Sequence, residues 1–180
     1  MYSFSVAKYL REYYPDEVID MAEFRGQISV IVRKERIKEI MRDLHDTPEF
    51  CFNFLEDLCG VDYHGDRTWR FEVVYHLYSV KHRHSIRIKA LVSESDCNID
   101  SIADVWGAAE WLERECYDMF GIRFAGHPDL RRVLMPEDWR GYPLRKDYPL
   151  RSRLLEHEWE GYTEVVNKAR RYSQSNLRRE

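Results

Sequence analysis

The stretch that decides the fold is ERECYDMFGIRFAGHPDLRRVLMPEDWRGYPLRKDYPL, from Glu113 to Leu150. It begins as the end of a helix, and the run from Gly121 to Gly126 has the composition of a brief strand. From Pro136 onwards, prolines and glycines interrupt every regular element, and charged residues stand beside aromatic ones. An extended segment cannot satisfy its backbone polar groups within itself, so we expect it to lie on this domain or on another chain.

The helix that leads into this stretch has signals at both ends. Ser101 and Asp104 have the spacing of a capping box, which favours a helix start at Ser101. Apolar residues then recur at helical spacing from Ile102 to Met119. Gly121 can adopt a left-handed conformation and is therefore expected to end the helix.

Charged residues occupy the other side of this helix. Arg114 lies four residues from both Glu110 and Asp118, so it could pair in both directions. Each such pair contributes only ~0.2–0.5 kcal/mol. Glu113, Glu115 and Asp118 could instead supply an acid/base pair. Because Glu113 and Glu115 point to different sides of a helix with Arg114 between them, we favour structural ion pairing.

The N-terminal part of the chain predicts helices alternating with strands. Residues 3–14 form an amphipathic pattern that indicates a helix. Residues 18–24 and 27–32 are typical of two strands joined at Arg25-Gly26. Residues 33–46 again have an apolar stripe at helical spacing, which indicates a second helix.

A long strand pair is predicted in the middle of the chain. Apolar residues alternate with others from Trp69 to Leu77 and again from Ile86 to Val92. Residues 50–63 are ambiguous, and we predict a short helix followed by the start of a strand at Val61.

The element order indicates an α+β fold, with a small mixed or antiparallel sheet and helices packed on it. An extended C-terminal arm follows. We therefore divide the chain into an α+β body, residues 1–135, and an extended C-terminal docking arm with a helical segment, residues 136–180.

Composition limits the classes of function. The 180 residues are 44% hydrophobic and 33% charged, with a net charge of −4, which indicates a soluble globular protein and argues against nucleic acid as a partner. Residues 139–180 carry ten Lys and Arg against six Asp and Glu. This basic tail suits an acidic surface of another subunit, and a merely solvated tail is the alternative.

No run approaches the ~20 apolar residues of a membrane helix. We therefore expect a cytoplasmic chain with membrane contact only through partners.

Cofactor and metal sites are not predicted. Cys51, Cys59, Cys97 and Cys116 lack the close spacing of iron–sulfur ligands. His82 and His84 could share a strand face, but the cations beside them in the sequence would repel a metal ion. The chain also lacks the glycine-rich nucleotide motifs and the metalloprotease and hydrolase motifs.

Two charged blocks flank the proline-rich segment. Asp129, Arg131 and Arg132 form the first block, and residues 145–147 form the second. Arginine suits bidentate contacts with carboxylates, so we interpret the two blocks as paired with each other and with a partner. Phosphate binding is a weaker alternative, because no glycine-rich loop precedes a helix here.

Three consecutive runs carry a resemblance to a known family. Glu113–Gly121, Phe124–Arg132 and Pro143–Pro149 resemble the 30 kDa subunit of respiratory complex I, which corresponds to the C subunit of bacterial NADH:quinone oxidoreductase. The resemblance implies a cofactor-free structural subunit of the peripheral arm that docks on the 49 kDa quinone-site subunit, at the cytoplasmic side of the inner membrane. The complex would use NADH, FMN, iron–sulfur clusters and quinone, none of them bound by this chain.

The resemblance and the charges together indicate residues that contact partners rather than catalyse. They are Glu113, Arg114, Asp118, His127, Asp129, Arg131, Arg132, Arg145, Lys146, Asp147 and Tyr148. An equivalent subunit of a ferredoxin- or hydrogenase-linked membrane complex is the alternative within this class. A free-standing metal-dependent enzyme and a nucleic-acid-binding tail are rivals from other classes, and acidic residues such as Glu156 and Glu158 disfavour the second.

Overall fold

A five-stranded mixed sheet forms the centre of the body. Its strands are β1 (Val18–Phe24), β2 (Gln27–Arg33), β3 (Phe54–Asp62), β4 (Phe71–Ser79) and β5 (His84–Val92). They lie in the order β1-β2-β5-β4-β3. Strands β2 and β5 run parallel, and the other neighbouring pairs are antiparallel. The computed structural model describes residues 2–65, 68–149, 161, 164–168 and 171.

Three helices pack on this sheet within the described part of the chain: α1 (Tyr2–Tyr13), α2 (Ile37–Asp46) and α3 (Ala109–Phe120). Their apolar stripes join the inward side of the strands in a continuous hydrophobic core. Full burial of a Leu or Ile side chain contributes ~1.5–3 kcal/mol, so this cluster outweighs any single surface ion pair. Fully buried examples from α1, α2 and β4 are Leu10, Ile40 and Tyr75.

A small parallel ladder fixes both ends of α3. It pairs β6 (Asn98–Asp100) with β7 (Arg123–Ala125). The Ser101 amide extends the ladder by donating to the Ala125 carbonyl at 2.8 Å. The loop before α3 and the strand after it are therefore held side by side.

Several predicted elements are confirmed. The β4–β5 pair and the β1–β2 pair occur where alternation predicted them. Arg25 and Gly26 both have positive φ, at 52° and 76°, as a two-residue hairpin turn requires. Gly121 has φ 77° and ends α3 with its amide bonded to the Tyr117 carbonyl. The predicted fold class, α+β with a small mixed sheet, is correct.

The short helix predicted within residues 50–63 is wrong, because the strand expected to start at Val61 already begins at Phe54 as β3. A bulge between Leu55 and Asp57 shifts the alternation of the strand. Leu55 and Leu58 consequently both point inward although they are three residues apart. That spacing imitates the periodicity of a helix, which explains the mistaken prediction.

The predicted helix start at Ser101 is also wrong. Helix α3 begins at Ala109, and the residues before it form turns. The Ser101 hydroxyl donates to the Glu113 carboxylate at 2.6 Å, so a tertiary contact replaces the local capping box. Asp104 instead forms ion pairs with Lys38 and Arg42 of α2.

Smaller differences affect other element ends. Helix α2 begins at Ile37 rather than at residue 33, because β2 extends through Arg33. The amphipathic pattern of residues 3–14 predicts that Tyr13 faces inward, but Tyr13 lies on the surface at the end of α1. The helical segment expected in the C-terminal arm is helical at positions 161, 164–168 and 171, and its other residues lie outside the described part of the chain.

Candidate partner-docking site

Asp118, in the last turn of α3, anchors the start of the segment formed by residues 131–149, which we call the strap. Its Oδ2 atom accepts the backbone N–H groups of Val133, Leu134 and Met135 at 3.0, 2.7 and 2.9 Å. Its Oδ1 atom accepts from Arg132 Nη1 at 2.7 Å. Burial raises the pKa of this carboxyl, but these donors outweigh burial and hold the pKa below its usual value.

The strap also covers the C-terminal end of α3. The last four carbonyls of a helix lack partners within the helix. Here Tyr117 O accepts from Gly121 N, Asp118 O from Arg132, Met119 O from Leu144 N, and Phe120 O from Arg145. Two of the donors are guanidinium groups, whose charge is favourable at this end of the helix dipole by ~0.3–1 kcal/mol each. The strap therefore completes the hydrogen bonding of the helix end.

The ring of Tyr142 contacts two arginines at this helix end. The guanidinium of Arg145 is 4.7 Å from the ring centroid, and that of Arg132 is 5.3 Å away. The ring packs directly on Gly121, where a methyl group would overlap it. A residue with positive φ and no side chain is therefore required at position 121 for the strap to lie this close.

A second buried carboxylate, Asp62 at the end of β3, anchors the far part of the strap. It accepts the backbone N–H of Lys146 at 2.9 Å and that of His64 at 3.0 Å. Arg70 donates to both of its oxygens at 3.2 Å. Burial raises the pKa of Asp62, but the Arg70 and backbone donors outweigh it and lower the pKa overall.

Arg70 connects this anchor to the strap side chains. Its Nη2 lies 2.6 Å from Asp147 Oδ1, and its Nη1 also pairs with Glu94. The hydrogen bond from Arg70 lowers the pKa of Asp147. Neither Asp62 nor Arg70 was predicted from the sequence. They lie far from the strap in the chain, and no local motif marks them.

The predicted contact residues fall into three groups by exposure. The buried group is Glu113, Arg114 and Asp118; the half-buried group is His127, Arg132, Arg145 and Tyr148; the exposed group is Asp129, Arg131, Lys146 and Asp147. All lie on α3, on the strap, or on the short loop between β7 and the strap. The structure thus brings them to one region of the molecule.

The ion pairing predicted along α3 is wrong for Arg114. Its Nε and Nη2 donate to the carbonyls of Arg131 and Arg132, both at 3.2 Å, rather than to acidic residues. Its guanidinium also lies 4.8 Å from the ring centroid of Trp111. Arg114 therefore fastens the beginning of the strap to the helix.

Glu113 is likewise not in an ion pair. Its carboxylate accepts from the Ser101 hydroxyl at 2.6 Å and from the Ile102 amide at 2.8 Å. Burial is the main effect on its pKa, which is raised despite these donors. Glu113 joins α3 to the preceding loop and faces the interior.

The two charged blocks do not pair with each other as predicted. Asp129 pairs locally with Arg131 at 2.8 Å. Arg132 pairs with Asp118, and Asp147 pairs with Arg70. Each block is thus attached separately to the body.

His127 fixes the loop that leads into the strap. Its Nε2 lies 2.9 Å from the Glu110 carbonyl, and its Nδ1 accepts the Asp129 amide at 3.0 Å. This pattern corresponds to a neutral ring with the proton on Nε2.

Exposed apolar side chains accompany the strap. Trp111 is 61% exposed and Leu134 is 60% exposed. Val133 and Leu144 are also exposed. Charged residues such as Arg131 and Lys146 lie among them along the chain. An apolar centre with a polar rim is the usual composition of a protein interface.

The described residues contain neither a metal-binding cluster nor a membrane-spanning helix. No group of three or more His, Cys, Asp or Glu side chains in these ranges is placed to hold a metal ion. None of the helices in that part of the chain is long and apolar enough to cross a membrane.

Comparison with known proteins agrees with the sequence resemblance. The family model described as the respiratory-chain NADH dehydrogenase 30 kDa subunit matches residues 30–154. The NADH-quinone oxidoreductase C subunit of Roseiflexus sp. (strain RS-1) is 55% identical over 146 residues, which cover 81% of this chain and 83% of that protein. The corresponding C subunit of Citrifermentans bemidjiense is 49% identical over 143 residues, with coverages of 79% and 87%.

Two solved structures share the fold. The trypsin-resistant fragment (1–134) of Nqo5 is 34% identical, with a TM-score of 0.64, and the match covers 72% of this chain and 100% of the fragment. A chain of the membrane-bound sulfane sulfur reductase, an archaeal respiratory membrane complex, has a TM-score of 0.65 at 22% identity, with coverages of 82% and 85%. At that identity the second match concerns the fold alone.

Proposed function

The chain belongs to the family of the 30 kDa subunit of respiratory-chain NADH dehydrogenase, and we propose that it is a structural subunit in the peripheral arm of a proton-pumping NADH:quinone oxidoreductase. In this proposal it docks on the 49 kDa quinone-site subunit and contributes no catalytic residue. Its task is to hold partner surfaces in a fixed geometry, so that the redox centres and the quinone site keep their spacing.

The observation that carries this proposal is the strap held on the end of α3. A loop without regular structure gains affinity for a partner when it is ordered beforehand, because less conformational entropy is lost on binding. The buried carboxylates of Asp118 and Asp62 supply that order. The strap then presents Leu134 and Leu144 to the outside.

The predicted contact residues would act in two ways. Three buried side chains shape the strap and the loop before α3, namely Glu113, Arg114 and Asp118. The remaining residues would meet the partner directly, namely His127, Asp129, Arg131, Arg132, Arg145, Lys146, Asp147 and Tyr148. Truncating a buried anchor should therefore affect the whole strap, whereas truncating a rim residue should affect one contact.

We propose that this chain binds no cofactor, while the complex uses NADH, FMN, iron–sulfur clusters and quinone. Iron–sulfur ligation needs thiolates. Burial raises the pKa of the Cys97 and Cys116 thiols, more strongly that of Cys116. Their surroundings thus favour the protonated form, which suits structural cysteines.

The body and the arm have separate roles in this proposal. Residues 1–135 would form the stable α+β body, and residues 136–180 would form the docking arm that meets partners, at the cytoplasmic side of the inner membrane. The related Nqo5 fragment that resists trypsin spans residues 1–134 of that protein. A protease-resistant body in a relative supports this division.

Site-specific photo-crosslinking tests the docking surface. A photoreactive residue at position 134 should crosslink to the 49 kDa subunit in gently solubilised membranes. Position 80 is the matched control, since Val80 is similarly exposed, at 57%, but follows the far end of β4. A nine-residue strand spans about 30 Å, so the control lies well away from the strap. Equal crosslinking from both positions, or recovery of the chain only as a free monomer, would contradict the proposal.

An equivalent subunit of a ferredoxin- or hydrogenase-linked membrane complex is the second candidate. The fold shared with a chain of the archaeal sulfane sulfur reductase complex motivates it. The relatives named as C subunits of NADH-quinone oxidoreductase, which are 55% and 49% identical in sequence to this chain, favour the first candidate. Identification of the co-purified proteins decides between them, since NADH-binding flavoprotein subunits support the first and a nickel hydrogenase supports the second.

A further inference from the structure

Arg70 joins three separate parts of the chain at the edge of the body. Its side chain is almost fully buried. It donates to Asp62 at the end of β3, to Asp147 in the strap, and to Glu94 in the loop after β5. A planar guanidinium has five N–H donors in a rigid fork, which suits simultaneous bonding to several carboxylates.

The same cluster holds two consecutive residues of the strap by different means. Asp62 accepts the backbone N–H of Lys146 at 2.9 Å. Arg70 binds the side chain of Asp147 at 2.6 Å. The position of this part of the strap is therefore set jointly by one backbone bond and one side-chain bond.

The members of the cluster differ in what they lose if the strap detaches. The Asp62 and Arg70 side chains are 2% and 6% exposed, so either would be costly to leave without its partner. The Asp147 side chain is 45% exposed and can return to water. The strap can therefore detach locally while the Asp62–Arg70 pair stays intact in the body.

We propose that Arg70 and Asp62 are positioning residues for docking, which fix residues 144–148 of the strap on the body before a partner binds. Arg70 itself is too deeply buried to serve as a partner contact. Its effect on assembly must pass through the strap. The effect on assembly rests on the proposed function, whereas the position of the strap on the body is a property of the chain without its partners.

Limited proteolysis of the full-length chain measures this positioning. Trypsin cleaves after Arg145 and Lys146 when the strap opens, and mass spectrometry follows those bonds separately. The bonds after Lys81 and Arg83, in the exposed turn between β4 and β5, provide an internal reference. In wild-type protein the strap bonds should be cut more slowly than the reference bonds.

Asp147→Asn is the decisive variant. Relative to a strap peptide with the same substitution, which corrects for the changed residue beside the cleaved bonds, we expect about tenfold faster cleavage of the strap bonds, because one charged hydrogen bond no longer opposes local opening. The reference bonds should keep their wild-type rate. Asp147→Glu should restore most of the protection, and Glu94→Gln should change it less than about twofold, since Glu94 does not touch the strap.

The variant Arg70→Lys distinguishes the contribution of the positive charge from that of the forked guanidinium donors. Lysine keeps the positive charge but lacks the fork, so strap cleavage should again rise. Unchanged strap cleavage in Asp147→Asn, or equal acceleration of strap and reference bonds in both variants, would overturn the proposal.

Recovery of partners with tagged Arg70→Lys distinguishes the two proposals. Faster strap cleavage together with reduced recovery of partners supports both the positioning role and the proposed function. Faster cleavage with normal recovery overturns the docking step and counts against the proposed function. Wild-type cleavage overturns the positioning role and leaves the proposed function standing.

Discussion

Gly60 of β3 lies directly against the ring of Phe120, the last residue of α3. A methyl group at position 60 would come within 2.6 Å of the ring carbon Cδ2 and 3.0 Å of the Cys116 sulfur. The end of α3 can therefore sit on the sheet only because residue 60 has no side chain. Since the strap is fastened to that helix end, its position depends on the same contact.

Gly60→Ala should destabilise the body by ~1–3 kcal/mol, because the added methyl group overpacks the contact between helix and sheet. Urea unfolding of the full chain measures the change. Gly107→Ala is the matched control, since no atom lies within 4 Å of a methyl group there. An unchanged urea midpoint for Gly60→Ala would show that the ring moves aside without cost.

Asp118→Asn should release the start of the strap. The amide keeps the shape of the carboxylate but loses the charge that pairs with Arg132, and breaking a buried pair costs ~3–5 kcal/mol. Hydrogen exchange at the Val133, Leu134 and Met135 amides should accelerate. Asp129→Asn is the control, because Asp129 and Arg131 form an exposed pair worth ~0–1 kcal/mol. Retained protection in Asp118→Asn would mean that the strap is held by other contacts.

The sequence predicts the central hairpin well but not the anchors of the strap. The alternation from Phe71 to Leu77 marks the side of β4 that joins the hydrophobic core, although Glu72 and Val74 on its other side are buried as well. Asp62 and Lys146 are joined across 84 positions of the chain, and such a pairing has no local signature. Their contact follows from the tertiary fold and cannot be read from spacing.

Leu58 and Glu113 show two other ways in which pattern and structure diverge. Leu58 follows a bulge, so a strand acquires the apolar spacing of a helix. Glu113 was predicted as a partner contact because it is charged, yet it is fully buried, and the Ser101 hydroxyl and the Ile102 amide satisfy its carboxylate. A charged residue type therefore did not identify a solvent-exposed contact.

The strap should loosen in acid. Asp62, Asp118 and Asp147 have pKa values below their ordinary value, so the stability they contribute is complete above the unfolded pKa of about 3.9. It is lost as the pH falls through the lowered folded pKa values. The NMR amide signals of Leu134 and Lys146 should therefore keep their native positions down to about pH 4 and lose them below it. Loss already near pH 6 would point to a different controlling group.

The stability contributed by Glu113 should change with pH in the opposite direction. Burial raises its pKa, so its contribution is complete below the unfolded value of about 4.3 and declines as the pH rises through the folded pKa. Glu113→Gln removes the charge but keeps an acceptor oxygen. Its stability relative to wild type, from urea unfolding, should rise as the pH increases above about 4.3, the unfolded value of a glutamate. A stability difference between Glu113→Gln and wild type that stays constant over this pH range would refute the assignment.

Removal of residues 139–180 should leave a folded body that no longer assembles. The hydrophobic core and the residues packed against it extend no further than Leu130 among the described residues, so far-UV circular dichroism and cooperative urea unfolding should persist. The carbonyls of Met119 and Phe120 would lose Leu144 and Arg145 as donors, but at a helix end they become open to water, which limits the cost. Removal of residues 172–180 alone is the control, because it keeps the entire strap. Because residues 139–149 of the strap, with the exposed Leu144, form most of the proposed contact with the 49 kDa subunit, the longer deletion should abolish co-purification with that subunit. Assembly at normal yield would show that docking uses another surface of the body.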